Sequence, residues 1–156
     1  MSQKCERIIF SINPIALLGD VMGYWKIVAG HKERTPDEVK SVMLGDWLRH
    51  NYIAIGWGKD NPQHRVFRDK VKIGDKVVVV TDGFIWALGE ITGTFKAVPL
   101  PEKSNLYEFR KDVVWLKVTK LSCKQLPKSI KNKLTLKRAI NKLNPSEWES
   151  IAVYAS

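Results

Sequence analysis

Residues Tyr52 to Gly93 read YIAIGWGKDNPQHRVFRDKVKIGDKVVVVTDGFIWALGEITG, and the fold turns on this run. It opens with a strand, Tyr52 to Trp57, in which Ile53 and Ile55 share one face and Tyr52 and Ala54 the other. Gly56 and Gly58 bracket Trp57 and remove side chains on both sides of it. That pattern suits a bulge or barrel corner, and equally the close approach of a bound group. Lys59 to Lys72 is polar and basic, and its Val66, Phe67 and Val71 are spaced to pin a short helix or turn to the core. Ile73-Gly-Asp-Lys76 then turns into a strand, Val77 to Thr81, and Asp82-Gly83 is the signal of a two-residue type I′ hairpin. A regular hairpin pairs Thr81 with Phe84, Val79 with Trp86 and Val77 with Leu88. One face then carries Val77, Val79, Thr81, Phe84, Trp86 and Leu88, and the other Val78, Val80, Ile85 and Ala87. A hairpin apolar on both faces belongs in mid-sheet or in a small barrel with helices outside. Gly89 and Gly93 suit the bend at a barrel corner. The expected class is therefore α+β, a small open β-barrel flanked by helices.

Upstream, Tyr24 to Ala29 reads as a strand with Trp25, Ile27 and Ala29 on one face. Thr35 and Glu38 have capping-box spacing around Pro36, which starts a helix running to about Arg49. Val39, Val42, Met43 and Trp47 form its predicted buried face. Ahead of these lie Ile8, Ile9 and Phe10, then Pro14 and an apolar patch from Ala16 to Leu18 ending at Gly19, with no chemistry attached. Downstream, Ala97 to Asn105 is a Pro-containing surface loop. Asp112 to Lys120 is a strand with Val114, Leu116 and Val118 on one side and Val113, Trp115, Lys117 and Thr119 on the other. Leu136, Ala139, Ile140 and Leu143 recur at helical spacing, predicting an amphipathic helix over Leu134 to Leu143. Asn144-Pro145 would stop it, and Ser146 with Glu149 would cap a last short helix containing Trp148 and Ile151.

The chain has 156 residues, 44% of them hydrophobic, enough for one domain with one core. No apolar run approaches the roughly 18 residues that cross a bilayer, and the first residues lack the build of a signal peptide, so a cytoplasmic protein without membrane contact is expected. Cys5 and Cys123 match no metal spacing. Lysine and arginine number 26 against 16 acidic residues, a formal net charge of +10. Beyond Leu100 there are 12 basic and 5 acidic side chains, so the last third carries most of that excess. Such a balance favours a polyanionic partner.

Catalytic constellations are missing from the sequence. It holds no phosphate-binding loop, dinucleotide fingerprint, H-E-x-x-H or G-x-S-x-G. His31, His50 and His64 have no cysteine or carboxylate at a suggestive spacing. Asp75, Asp82 and Glu90 are close in sequence, but the lysine of a nuclease motif is absent and the turn accounts for Asp82. No enzyme, metal or cofactor is expected.

YW-x-I at Tyr24 to Ile27, YIAIGWG at Tyr52 to Gly58, F-x-x-x-x-K-x-GD-x-V at Phe67 to Val77 and ALGEITG at Ala87 to Gly93 resemble the EVE-like branch of the PUA superfamily, related to YTH domains. They are similar also to the N-terminal modules of McrB-type, modification-dependent restriction systems. The likeness runs from Tyr24 to Trp148 and leaves out residues 1–22 of what reads as a single domain. It implies nucleic-acid binding, with a modified or flipped base held in an aromatic cage. By position, Trp57 and Trp86 are the cage candidates, Trp25 a third, with Phe84 and Asp82 beside them. Phosphate contacts fall to Lys59, Arg65, Arg68, Lys70, Arg110 and Lys111.

Stacking a base contributes roughly 1 to 3 kcal/mol, whereas extruding one from a duplex costs a few kcal/mol. A methyl group adds only about 0.8 kcal/mol. Affinity must then come largely from phosphate contacts. The leading expectation is a non-catalytic module that reads methylated DNA by base flipping, with an AAA+ GTPase motor and a nuclease subunit as partners. An RNA-binding PUA-like module and a protein-interaction or small-ligand module are the alternatives.

Overall fold

A computed structural model describes residues 22–30, 36–102, 104 and 106–156. The apolar patch before Gly19, Cys5, His31 and the Thr35 half of the first capping box lie outside the described residues. Among the rest, strands β1 (Tyr24–Val28), β2 (Tyr52–Ile55), β3 (Lys76–Thr81), β4 (Phe84–Ile91), β5 (Lys96–Ala97), β6 (Phe109–Ser122) and β7 (Ile140–Leu143) form one sheet. Its order is β2-β6-β4-β3-β1-β7, with β5 pairing only β6. The sheet curls into an open half-barrel flanked by helices, the expected α+β architecture.

Two cores form, one on each face of the sheet. The inner core gathers Trp25, Ile27, Val77, Val79 and the whole of β2 against the first helical run, and its centre is Trp47, fully buried. That run begins as α1 (Pro36–Glu38), passes through a π-helical segment (Val39–Leu44) and ends as α2 (Gly45–His50). The wider π turn puts Val39, Met43, Leu44 and Trp47 inward and leaves Val42, predicted buried, 37% exposed. The outer core holds Val78, Val80, Ile85 and Leu88 beneath α4 (Lys128–Leu134) and α5 (Pro145–Ala155). Both faces of the central hairpin are thus buried, as its sequence requires.

The hairpin tip is as predicted, with Asp82 at φ 55° and Gly83 at φ 77°, the two positive values of a type I′ turn. Its register is not. Val80 pairs with Ile85, but Val79 pairs with Ala87 rather than Trp86, and Val77 pairs with Gly89. Trp86 is the extra residue of a bulge, and the β4–β6 ladder also breaks between Ile85 and Ala87. The bulge turns Trp86 and Ala87 toward the inner core, while Leu88 joins the outer one.

The predicted helix over Leu134 to Leu143 is replaced by the end of α4 and strand β7. As a strand, Ile140 and Leu143 point to opposite faces and enter the inner and outer cores respectively, so i, i+3 spacing here reflects burial on both sides of a sheet. Leu136 is 49% exposed. The final cap also shifts: Asn144 and Glu147 make the capping box, and Pro145 opens α5 rather than stopping a helix. On β6 the Val114, Leu116 and Val118 side faces solvent, each about half exposed.

Candidate nucleic-acid interface

Behind β2 the chain forms the turn that carries Trp57. Asn61 accepts from Gln63 N at 2.8 Å and caps α3 (Pro62–Arg65), with Pro62 in the first turn, where its missing N–H costs nothing. The helix widens into a second π segment (Val66–Lys70), anchored by buried Phe67. α3 presents His64 to the core, 3% exposed, edge-on to Phe95 and Phe109 at 5.3 and 4.7 Å. His64 Nδ1 donates to the Trp57 carbonyl at 2.9 Å. The backbone of Trp57 is thereby fixed while its half-buried indole enters no ring or cation contact among the described residues.

The two glycines beside Trp57 have different reasons. A Cβ on Gly56 would stand 2.5 Å from the Tyr107 ring, so the glycine is required by packing. A Cβ on Gly58 would meet nothing within 4 Å among the described residues beyond its chain neighbours, leaving room in the turn. Tyr107 crosses from the connection before β6 to the end of β1, where its hydroxyl donates to the Gly30 carbonyl. Burial pushes that phenol up to about 12. A recess of about 350 Å³ lies here, lined by Gly56, Tyr107, Leu100 and Leu106. The ends of β1 and β2 and the Tyr107 connection together form the mouth of the half-barrel.

Trp86 stands one step along the same rim. Ala29 N donates to Val80 O at 3.0 Å, and the next carbonyl, Thr81 O, accepts from Trp86 Nε1 at 3.1 Å. Phe84 lies 6.1 Å from Trp86, the Lys120 ammonium sits 5.1 and 5.4 Å from the two rings, and Lys40 reaches Trp86 at 6.0 Å. Asp82 meets Lys40 at 3.6 Å. Phe84, Trp86 and Asp82 are brought together at the hairpin tip, without ring contact to Trp57. Trp25 belongs to neither group: it is 6% exposed, and its Nε1 donates to Asp75 Oδ2 at 2.8 Å. It packs in the inner core, apart from both rims. Asp75 also accepts from Gly23 N and Lys72 N, both at 2.9 Å, while Asp82 lies at the opposite end of β3.

The basic residues divide in the same way. Lys59 and Arg65 are exposed in the Trp57 turn, Arg65 Nη1 donating to the Lys59 and Asp60 carbonyls at 3.4 Å. Arg68 is held by Asp69 in two contacts of 2.8 and 2.9 Å, which offset its charge, and Lys70 is exposed farther along. Arg110 stacks on Tyr52 at 4.1 Å and donates from Nε to the Tyr107 carbonyl at 2.9 Å, positioning the mouth. Lys111 is the correction: it is 4% exposed, and its ammonium donates to the carbonyls of Val71 and Arg68. Burial, then Lys72, bring it down to about 8. Its ammonium is thus engaged by backbone carbonyls rather than standing on the surface as a free cation. His64 and Tyr107 are the residues sequence reasoning missed; Asn61-Pro62, a cap followed by a first-turn proline, signalled the helix that positions His64.

No protein-family model and no curated protein matches the chain. Solved structures do. The YTH domain of Mmi1, solved with RNA, superposes with a TM-score of 0.57 at 10% identity, over 86% of this chain and 81% of that one. The YTH domain of Zygosaccharomyces rouxii MRB1, solved with N6-methyladenosine RNA, gives 0.54 at 15% identity, over 86% and 87%. A protein from Agrobacterium tumefaciens gives 0.54 at 12% identity, over 86% and 93%. The chain has the YTH/PUA-like fold.

Proposed function

We propose that this chain is a non-catalytic recognition domain that takes a methylated base into the mouth beside Trp57. The observation that supports this most is the Trp57 turn: a tryptophan whose backbone is clamped by His64, whose half-buried ring meets no other ring or cation among the described residues, and which has Gly58 and the cations Lys59 and Arg65 beside it. A flat apolar ring next to unpaired charge is the chemistry of a base with its phosphates. The sequence likeness to McrB-type modules points to DNA, with an AAA+ GTPase motor and a nuclease as partners. A second reading, RNA, is favoured by the polymer bound in the similar YTH structures.

Binding to duplex DNA and single-stranded RNA, each with and without N6-methyladenine or 5-methylcytosine, separates the two. One methylated polymer should be preferred, and Trp57→Ala should weaken it about tenfold or more, the loss of one stacked base. Equal binding to every polymer, unchanged in Trp57→Ala, would sink the reading.

A further inference from the structure

A second cleft, of about 480 Å³, lies between the end of the second π segment and the connection from β4 to β5. It is apart from the mouth: Lys111, which lines it, pairs with Ile53 near the start of β2, whereas the mouth lies beyond Ile55 at its end. Val71 and the half-buried Phe95 supply apolar surface, and Ile73, 60% exposed, stands beside them. The volume is that of a small-molecule site.

Its charged lining is three cations, Arg68, Lys72 and Lys111, against one carboxylate, Asp69, an excess of two positive charges. Asp69 is spent on Arg68: its oxygens accept from Nε and Nη2 at 2.8 and 2.9 Å. That pair holds the guanidinium in place and leaves Nη1 without a partner among the described residues. The excess therefore lies on Lys72 and Lys111, neither of which forms an ion pair among the described residues. Asp75, the other carboxylate near Lys111, already accepts from the N–H groups of Trp25, Gly23 and Lys72. Both ammoniums close the end of the π segment, Lys72 on Asp69 O at 3.2 Å and Lys111 on Arg68 O at 3.3 Å and on Val71 O. That structural role uses one N–H of Lys72 and two of Lys111, and supplies carbonyl dipoles rather than a counter-ion. Lys72 also helps to lower Lys111, so the two charges repel and an anion beside them would relieve both.

A phosphate monoester carries about two negative charges at neutral pH, where a phosphodiester inside a strand carries one. The excess of two matches the monoester, and the apolar surface beside it suits the base of a nucleotide. We infer that this cleft binds a terminal phosphate monoester together with its nucleoside. The phosphate oxygens accept from Arg68 Nη1 and the Lys72 ammonium, with the buried charge of Lys111 beneath them, and the base lies against Ile73 and Phe95. Two sources present this group, a free mononucleotide and the phosphorylated end of a strand. The inference does not rest on the reading of the mouth.

The test titrates adenosine 5′-monophosphate, adenosine and inorganic phosphate into Trp57→Ala protein by calorimetry, so that the mouth offers no stacking ring. The monophosphate should bind about tenfold or more tighter than adenosine, the share of a charge-assisted hydrogen bond. Adding Lys72→Gln should weaken it about tenfold, and Lys72→Arg should keep it. Ile73→Ser should weaken the monophosphate about threefold and leave inorganic phosphate unchanged. Lys72 and Ile73 are exposed, so these variants should melt as the parent does. Short strands ending in a 5′-phosphate or a 5′-hydroxyl separate the sources. A preference for the phosphorylated end that Lys72→Gln removes assigns the strand end, and monophosphate binding without that preference assigns the free nucleotide. A monophosphate no tighter than adenosine or than inorganic phosphate, or one unaffected by Lys72→Gln, overturns the inference. With Trp57 intact, a methyl preference that survives Lys72→Gln leaves the mouth standing whichever way the cleft is decided.

Discussion

Trp57 and Trp86 are both half-buried and both stand just outside a regular ladder, yet they are held in opposite ways. Trp57 is fixed through its backbone, by the His64 contact to its carbonyl, and its ring makes no ring or cation contact among the described residues. Trp86 is fixed through its side chain, with the indole N–H on Thr81 O and the ring beside Phe84, Lys40 and Lys120. Partial burial alone would rank the two equally. What separates a ligand-ready aromatic from a structural one is whether its own protein already satisfies it.

The sharpest way to break that comparison is at the glycines beside Trp57. Gly56→Ala drives a methyl into the Tyr107 ring, and urea melts should show a loss of about 3 kcal/mol, the upper range for overpacking. Gly58→Ala should melt within about 0.5 kcal/mol of wild type, as surface changes do, while weakening binding of the preferred methylated polymer. An unchanged affinity in Gly58→Ala would mean that the room in the turn at Gly58 is not used.

Trp86→Ala should cost about 2 kcal/mol of stability, less than a fully buried tryptophan, because half the ring is covered. Its binding, measured on the folded fraction, should stay within about twofold of wild type. A loss matching that of Trp57→Ala would join the two rings in a single cage.

A pH-dependent effect comes from the buried lysines on either side of the inner core. Lys26 and Lys111 titrate near 8 in the folded chain and at 10.5 as free side chains. The unfolded chain thus binds more protons between those values, and stability should rise with pH from about 8 to 10. Above pH 10 the sign reverses, because Tyr107 and Tyr52 are raised in the folded state and ionise first in the unfolded one. Lys111→Met should flatten part of the rise in chemical melts; a stability that falls from pH 8 to 10 would contradict the burial of these ammoniums.

Local chemistry made much of the fold legible. The Asp82-Gly83 turn needs two positive φ values, and the chain supplies residues that tolerate them. The doubly apolar hairpin demanded cover on both faces and has it. Where reading failed, the deciding contact was distant in sequence. Ile140 and Leu143 have helical spacing, and only the pairing of β7 with β1 makes them a strand. Arg110 and Lys111 look alike as surface cations, but β2 crosses both, and the carbonyls that end the π segment take up Lys111.

The sequence by itself determined the half-barrel class, the hairpin tip, the excess of positive charge and the placing of Trp57 between glycines, because each rests on periodicity, turn stereochemistry or composition within a few residues. Tertiary structure alone decided how each tryptophan is held and which cations are spent. The cations depend on partners 40 to 112 residues away, Lys111 on Val71 and Lys26 on Arg138 among them, and no local pattern encodes whether a polar group will find its partner inside the chain.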